Sequence, residues 1–124
     1  MQLSRRFSAR TTIDDAVYEF DFADPDAVNE FGDVGPNLED GETIVSATGT
    51  AGLYAYATTQ PTSPAALTVS GTTVADGAVK PASRVLVRVQ PGGTNDAEYV
   101  LTCTVTTSTG RIVQRSARLL TTTL

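Results

Sequence analysis

Hydrophobic and polar positions alternate with a period of two through much of this 124-residue chain. Over residues 16–22, Ala16, Tyr18, Phe20 and Phe22 fall on one side and Val17, Glu19 and Asp21 on the other. That pattern predicts a strand with one aromatic face turned to a core. Asp24-Pro25-Asp26 ends it, because Pro lacks a ladder donor and biases its predecessor away from helix. Residues 26–31 offer at most a short helical turn. Leu38-Glu39-Asp40-Gly41-Glu42 reads as a turn into a strand over 43–48. A further short strand is predicted over 53–58, where Leu53, Ala55 and Ala57 alternate with Tyr54 and Tyr56.

Gln60-Pro61-Thr62-Ser63-Pro64 is a loop, residues 67–74 alternate over their first half, and Ala75-Asp76-Gly77 turns the chain. Val85, Val87 and Val89 then share a face opposite Leu86 and Arg88, and Pro91-Gly92-Gly93 closes that strand. The strongest local signal is a C-terminal hairpin. Tyr99, Leu101, Cys103 and Val105 oppose Thr102, Thr104 and Thr106, and the connection Ser108-Thr109-Gly110 places Gly where a left-handed residue is needed. The return strand over 112–120 sets Val113, Ala117 and Leu119 against Arg118, with Arg115 falling on the apolar side. Seven or eight short strands separated by turns, with no internal repeat, predict an all-β, immunoglobulin-like sandwich. Residues 1–13, polar and carrying three Arg, read as an extended N-terminal arm, and residues 14–124 as one domain.

Composition agrees. Thr occurs 20 times and Lys once, as Lys80, a balance that suits a pleated surface and not helices. There is no His and one Cys. Those absences remove Ser-His-Asp and Cys-His nucleophiles, His-containing transition-metal sites and an intrachain disulfide. No apolar run reaches the length of a membrane-spanning helix. Arg5, Arg6 and Arg10 have no apolar stretch behind them, so the N-terminus does not read as a secretory signal; the expectation is a protein intracellular when made or already mature. The net charge of −5 divides unevenly: residues 1–42 carry −8 and residues 43–124 carry +3. The acidic third either solvates one face or polarises a surface that orients subunits or a partner. The basic part lacks the Lys/Arg clusters of a nucleic-acid site.

Several short motifs invite a chemical reading. Asp96-Ala97-Glu98-Tyr99 at a strand start resembles a tyrosine corner, the alternative being an ordinary strand-start Tyr. Cys103 reads as a small buried hydrophobe. Asp24-Pro25-Asp26 opens like a calcium loop, but Val28, Asn29 and Gly35 occupy positions where an EF-hand needs an oxygen ligand, Gly and Glu. An irregular calcium site from Asp24, Asp26, Asp33 or Asp40 stays open, although no cofactor is expected. Paired carboxylates for glycoside hydrolysis would want a cleft and aromatic platforms, and the chain has no Trp. Gly92-Gly93-Thr94 lacks the Lys and the following helix of a phosphate loop and reads as a turn. No enzymatic activity, small-molecule substrate, nucleic acid or membrane is expected. Thr-rich strand edges without Lys invite pairing with other chains unless an assembly covers them.

The order of motifs resembles a known family. Asp24-Pro25-Asp26-Ala27-Val28 is followed by Leu38-Glu39-Asp40-Gly41-Glu42-Thr43-Ile44-Val45-Ser46, Leu67-Thr68-Val69 and Pro91-Gly92-Gly93-Thr94. Tyr99-Val100-Leu101-Thr102, Thr107-Ser108-Thr109-Gly110-Arg111 and Arg115-Ser116 complete the series. Over about residues 24–119 this is similar to the tailed-phage fiber–tail adaptors, small virion structural proteins. The chain departs from them in Phe31-Gly32-Asp33-Val34, where an aromatic pair is usual, in Pro91 before the Gly pair, and in a longer N-terminal extension. The resemblance implies a virion protein assembled in the host cytoplasm, joining neck or tail to fibers as a homo-oligomer with symmetric, ring-like contacts. Its expected contact residues are Arg5, Arg6 and Arg10 on the arm and Asp24, Asp26, Asp33 and Asp40 on the acidic loop. The alternatives are a capsid decoration protein and an immunoglobulin-like glycan- or host-binding module using Tyr54 and Tyr56.

Overall fold

A computed structural model describes residues 10–11, 15–24, 38–56, 66–78, 80–93 and 97–122. Seven strands follow in chain order: β1 (Arg10–Thr11), β2 (Ala16–Asp21), β3 (Ile44–Tyr56), β4 (Val69–Ala75), β5 (Arg84–Val89), β6 (Ala97–Thr107) and β7 (Ile112–Thr122). They form two sheets, ordered β1-β7-β6-β3 and β2-β5-β4. All pairings are antiparallel except the two-residue β1, which lies parallel to β7 with Arg10 opposite Thr121. The architecture is all-β, and the described residues contain no helix.

The core lies between the sheets, where the alternation placed it. Tyr18, Phe20 and Phe22 from β2 and the turn after it meet Val85, Val87 and Val89 of β5. Tyr99, Leu101, Cys103 and Val105 of β6 and Ala117 and Leu119 of β7 close on them from the other sheet. Full burial of each large apolar side chain contributes about 1.5–3 kcal/mol. Burial pushes the Cys103 thiol up to about 12, against a smaller opposite pull from Arg115. Cys103 is thus the buried hydrophobe its alternation suggested.

One expectation needs correction. The separate strands over 43–48 and 53–58 are one strand, since β3 runs unbroken from Ile44 to Tyr56. Between them, Thr48-Gly49-Thr50-Ala51-Gly52 carries no large apolar residue to mark the period, yet its backbone pairs with β6 throughout. A Cβ at Gly49 would stand 3.1 Å from both Thr72 Oγ1 and Val87 Cγ1. Gly is what lets β3 lie this close to the other sheet. Within the expected 1–13 arm, Arg10–Thr11 pair with β7 as β1. The helical turn considered over 26–31 lies outside the described residues.

Strand directions define two poles. One holds the β6–β7 turn, the β4–β5 turn, the end of β2 and the entry to β3. These are joined by Phe22 N–H donating to the Ser83 carbonyl (3.0 Å), Ile44 N–H to that of Ala82 (2.8 Å) and Ser108 N–H to that of Thr43 (2.8 Å). The other pole holds β1, the end of β3 and the start of β6. The 11 residues of β6 separate them, about 35 Å at ~3.3 Å per residue.

Candidate partner interface

At the hairpin pole a turn of the chain places a carboxylate inside. Glu42 N–H donates to the Glu39 carbonyl at 3.0 Å, Gly41 takes the left-handed φ of 77° that the turn requires, and the Glu42 side chain has no exposure. It accepts from Thr107 Oγ1 at 2.6 Å, Arg111 Nε at 3.0 Å and the Glu39 amide at 2.9 Å, and also from Thr109 Oγ1 and the second Arg111 nitrogen. The Arg111 guanidinium holds the Glu42 carboxyl far below the usual carboxylate range, helped by Thr107, Thr109 and Glu39 and opposed by burial. Gly110 makes this approach geometrically available by turning the hairpin at φ 84°. The cluster therefore ties the β3 entry to the β6–β7 turn, a structural task rather than a catalytic one.

Arg115 performs a related task inside the sandwich. It is 4% exposed, donates to the Asp21 carbonyl, and sets its guanidinium 5.4 Å from the Phe22 ring centroid. Its place on the apolar side of β7, which broke the alternation, lets it tie β7 across the core to the end of β2, adding cation–π attraction.

The uneven charge along the sequence becomes pairing in space. Arg88 makes a bidentate bridge to Asp15, with Nε–Oδ1 at 3.0 Å and the second nitrogen to Oδ2 at 2.6 Å. Arg84 meets Glu19 at 3.2 Å, and Lys80 Nζ donates to the Glu39 carbonyl at 2.6 Å. With Arg111 on Glu42 and Arg115 on Asp21, five of the six basic residues in 43–124 reach back to the acidic third. Arg118 instead pairs with Glu98, its Nε at 2.6 Å. Much of the polarity expected for a partner is thus satisfied within the chain. The Asp15–Arg88 pair is exposed, so solvent screens it. Arg88→Ala is accordingly expected to leave the thermal midpoint essentially unchanged, and a drop comparable to that of a core truncation would contradict this account.

The expected contact residues divide between the poles. Asp40 is exposed in the turn at the hairpin pole, and Asp24 is half-buried just beyond β2 at the same pole. Asp24 lines a small concavity of about 160 Å³ with Lys80 and Ser83. Arg10 lies on β1, at the opposite pole. Arg5, Arg6, Asp26 and Asp33 lie outside the described residues, as do the side chains of Tyr54 and Tyr56.

Residues the sequence reading passed over prove to be held by its motifs. Glu42 was legible only as part of a turn, but it sits in one motif and its partners Thr107, Thr109 and Arg111 in another. At the arm pole, Tyr99 is 1% exposed. A Cβ on Gly93, six residues upstream, would stand 3.3 Å from the Tyr99 hydroxyl and 2.9 Å from Leu67 Cδ2. Tyr99 is thus packed closely against the loop that precedes β6. On the outer face, Thr102 and Ser116 share a hydroxyl hydrogen bond at 3.0 Å. Motif fragments scattered along the chain thus meet in pairs and hold its two ends.

A family model described as podophage GP4 fiber-tail adaptor protein gp77 matches residues 14–120. The chain belongs to this fiber-tail adaptor family. The match spans β2 through nearly all of β7 and leaves β1 outside. No curated protein and no solved structure matches the chain. Membership of the fiber-tail adaptor family makes it a phage structural protein.

Proposed function

We propose that this chain is a non-enzymatic virion subunit that joins neck or tail to fibers, assembling with other copies of itself through symmetric contacts. The adaptor family match carries the reading. Its strand order supports an immunoglobulin-like sandwich: β2-β5-β4 against β7-β6-β3 corresponds to the B-E-D and G-F-C strands of that architecture.

The placement of charge supports an arm contact between copies. Arg10 stands at one pole and Asp24 and Asp40 at the other, about 35 Å apart by strand length. Arg10 and the pair Asp24 and Asp40 are therefore separated within one copy, whereas a head-to-tail arrangement sets the Arg10 pole of one copy against the Asp24–Asp40 pole of the next. Such heterologous contacts generate rings when the rotation closes. Arg5, Arg6 and Arg10 are the basic side of this contact and Asp24, Asp26, Asp33 and Asp40 the acidic side.

Deleting residues 1–12 is expected to abolish salt-sensitive assembly, read by light scattering on a size-exclusion column at low and high ionic strength. Unchanged assembly and unchanged salt response would remove the arm from the interface. A reconstruction of the intact particle tests the broader reading: density at the junction of tail and fibers supports the adaptor, and density spread over the head lattice overturns it.

A further inference from the structure

One lateral side of the sandwich is built differently from the rest. Here β3 is the edge of one sheet and β4 the edge of the other, and among the described residues no strand pairs with the outer side of β3. Neither the 13 residues of β3 nor the 7 of β4 include a charged side chain or a proline. By contrast, β2, an edge at the other side, carries Glu19 and Asp21 and is flanked by Asp15. Natural edges are usually blunted by charge, proline or a covering segment, and an unblunted edge is a template for strand pairing.

Burial along this side is also shallower than at the centre of the sheet. The inward residues of β6 are fully buried, whereas inward Ala47 and Ala51 of β3 and Val69 and Val74 of β4 are only half-buried. Val45, at the bulge where β3 begins, is 66% exposed. Register shifts near Val45 and after Leu53 bracket a regular run over 46–53.

That run identifies its occupant. Residues 47–51 read Ala-Thr-Gly-Thr-Ala, the same in either direction about Gly49. In an antiparallel pair, directly opposed side chains share a face. A two-fold axis normal to the sheet at Gly49 therefore sets Ala47 opposite Ala51, Thr48 opposite Thr50 and Gly49 opposite itself. Each position meets its own kind on the correct face. Thr–Thr cross-strand pairs are favourable, and no charge opposes a like charge although each copy carries −5.

We infer that the β3 edge is an isologous docking surface for a second copy of this chain, joining two four-stranded sheets by antiparallel β3–β3 pairing centred on Gly49. This deepens the adaptor reading by naming one contact through which copies associate, and it is independent of the arm.

Sedimentation equilibrium of the full chain from micromolar to submillimolar concentration tests it. At high ionic strength, where the arm contact is screened, the parent is expected to form a reversible dimer. Thr48→Lys with Thr50→Lys, which sets Lys opposite Lys twice on the solvent side, is expected to weaken association at least about tenfold. Mixing that variant with Thr48→Glu/Thr50→Glu copies should restore it. Thr104→Lys, on the same face but one strand inward, should leave the dimer intact. Because Lys at the edge can also disturb folding, a second readout uses near-isosteric changes. Thr48→Cys copies mixed with Thr50→Cys copies should form an intermolecular disulfide, while the buried Cys103 stays out of the reaction.

A parent that stays monomeric throughout, a Lys variant that associates like the parent, or Cys copies that fail to cross-link would each overturn the β3 contact. The adaptor reading survives those results if the chain is still found at the tail–fiber junction of the particle. Association kept in the Lys variant but lost on deleting residues 1–12 would assign it to the arm instead.

Discussion

Replacing Glu42 with Gln should lower stability by about 2–4 kcal/mol, roughly 10 °C in thermal midpoint for a domain of this size. The side chain keeps its volume, so the effect isolates charge and hydrogen bonding. Gln retains one acceptor oxygen but turns an amide donor toward Thr107, Thr109 or Arg111, where only acceptors are wanted. Leaving buried donors without acceptors costs more than an average hydrogen bond returns.

The pH dependence follows from the same carboxylate. Folding holds its pKa well below the ordinary value of 4.5, so the contribution is complete above that value and is lost as pH falls below it. Unfolding monitored by circular dichroism over an acid series should show the parent weakening from about pH 4.5 downward. Glu42→Gln should show a flatter response there. Equal midpoints and equal acid limbs for parent and variant would refute the clamp.

The second large effect is expected at the arm pole. Gly93 has a left-handed φ of 89°, and an added methyl would stand 2.9 Å from Leu67 Cδ2 and 3.3 Å from the Tyr99 hydroxyl. Gly93→Ala therefore combines backbone strain with overpacking of a buried aromatic, together about 2–4 kcal/mol. Gly92→Ala is the internal comparison, since its φ of 138° is also unfavourable for Ala but its Cβ would meet nothing within 4 Å. Urea unfolding of both variants should place Gly93→Ala clearly lower. Trimming Leu67 to Ala in the Gly93→Ala background should cost less than it does in the parent, because the obstructing methyl is gone. Equal effects of the two Gly changes would remove the steric part of the argument.

The legible parts of this molecule were those where one physical signal dominates. Period-two runs such as Tyr18-Phe20-Phe22 and Val85-Val87-Val89 place their faces correctly, because burial of large side chains outweighs every local preference at those positions. The Thr48–Gly52 stretch escaped because its inward side chains are too small to mark a period. Its strand character comes from pairing with β6 and close packing on Thr72 and Val87. Arg115 was visible as an exception, but its partner, the Asp21 carbonyl, is a backbone group 94 residues away that no side-chain pattern announces. The charge division was legible as a sum and not as an arrangement. Only the strand register shows that Arg84 and Arg88 lie beside Glu19 and Asp15. Glu42 and Arg111 were each part of a motif, and their meeting depends on two turns at the same pole.

The strand order also governs how the chain reaches this state. Among the described strands only β4–β5 and β6–β7 are neighbours in both sequence and sheet; β1–β7, β2–β5 and β3–β6 join segments far apart along the chain. Loop-closure entropy must be overcome before those pairings return any free energy, so this topology belongs with slowly folding sandwiches of high contact order. The two hairpins are the natural early structures. Because the buried carboxylate of Glu42 finds most of its donors on the β6–β7 turn, that hairpin is the platform on which the distant β3 docks. Until that docking, β3 presents its uncharged backbone on both sides, and newly made chains are most open to misassociation in this interval.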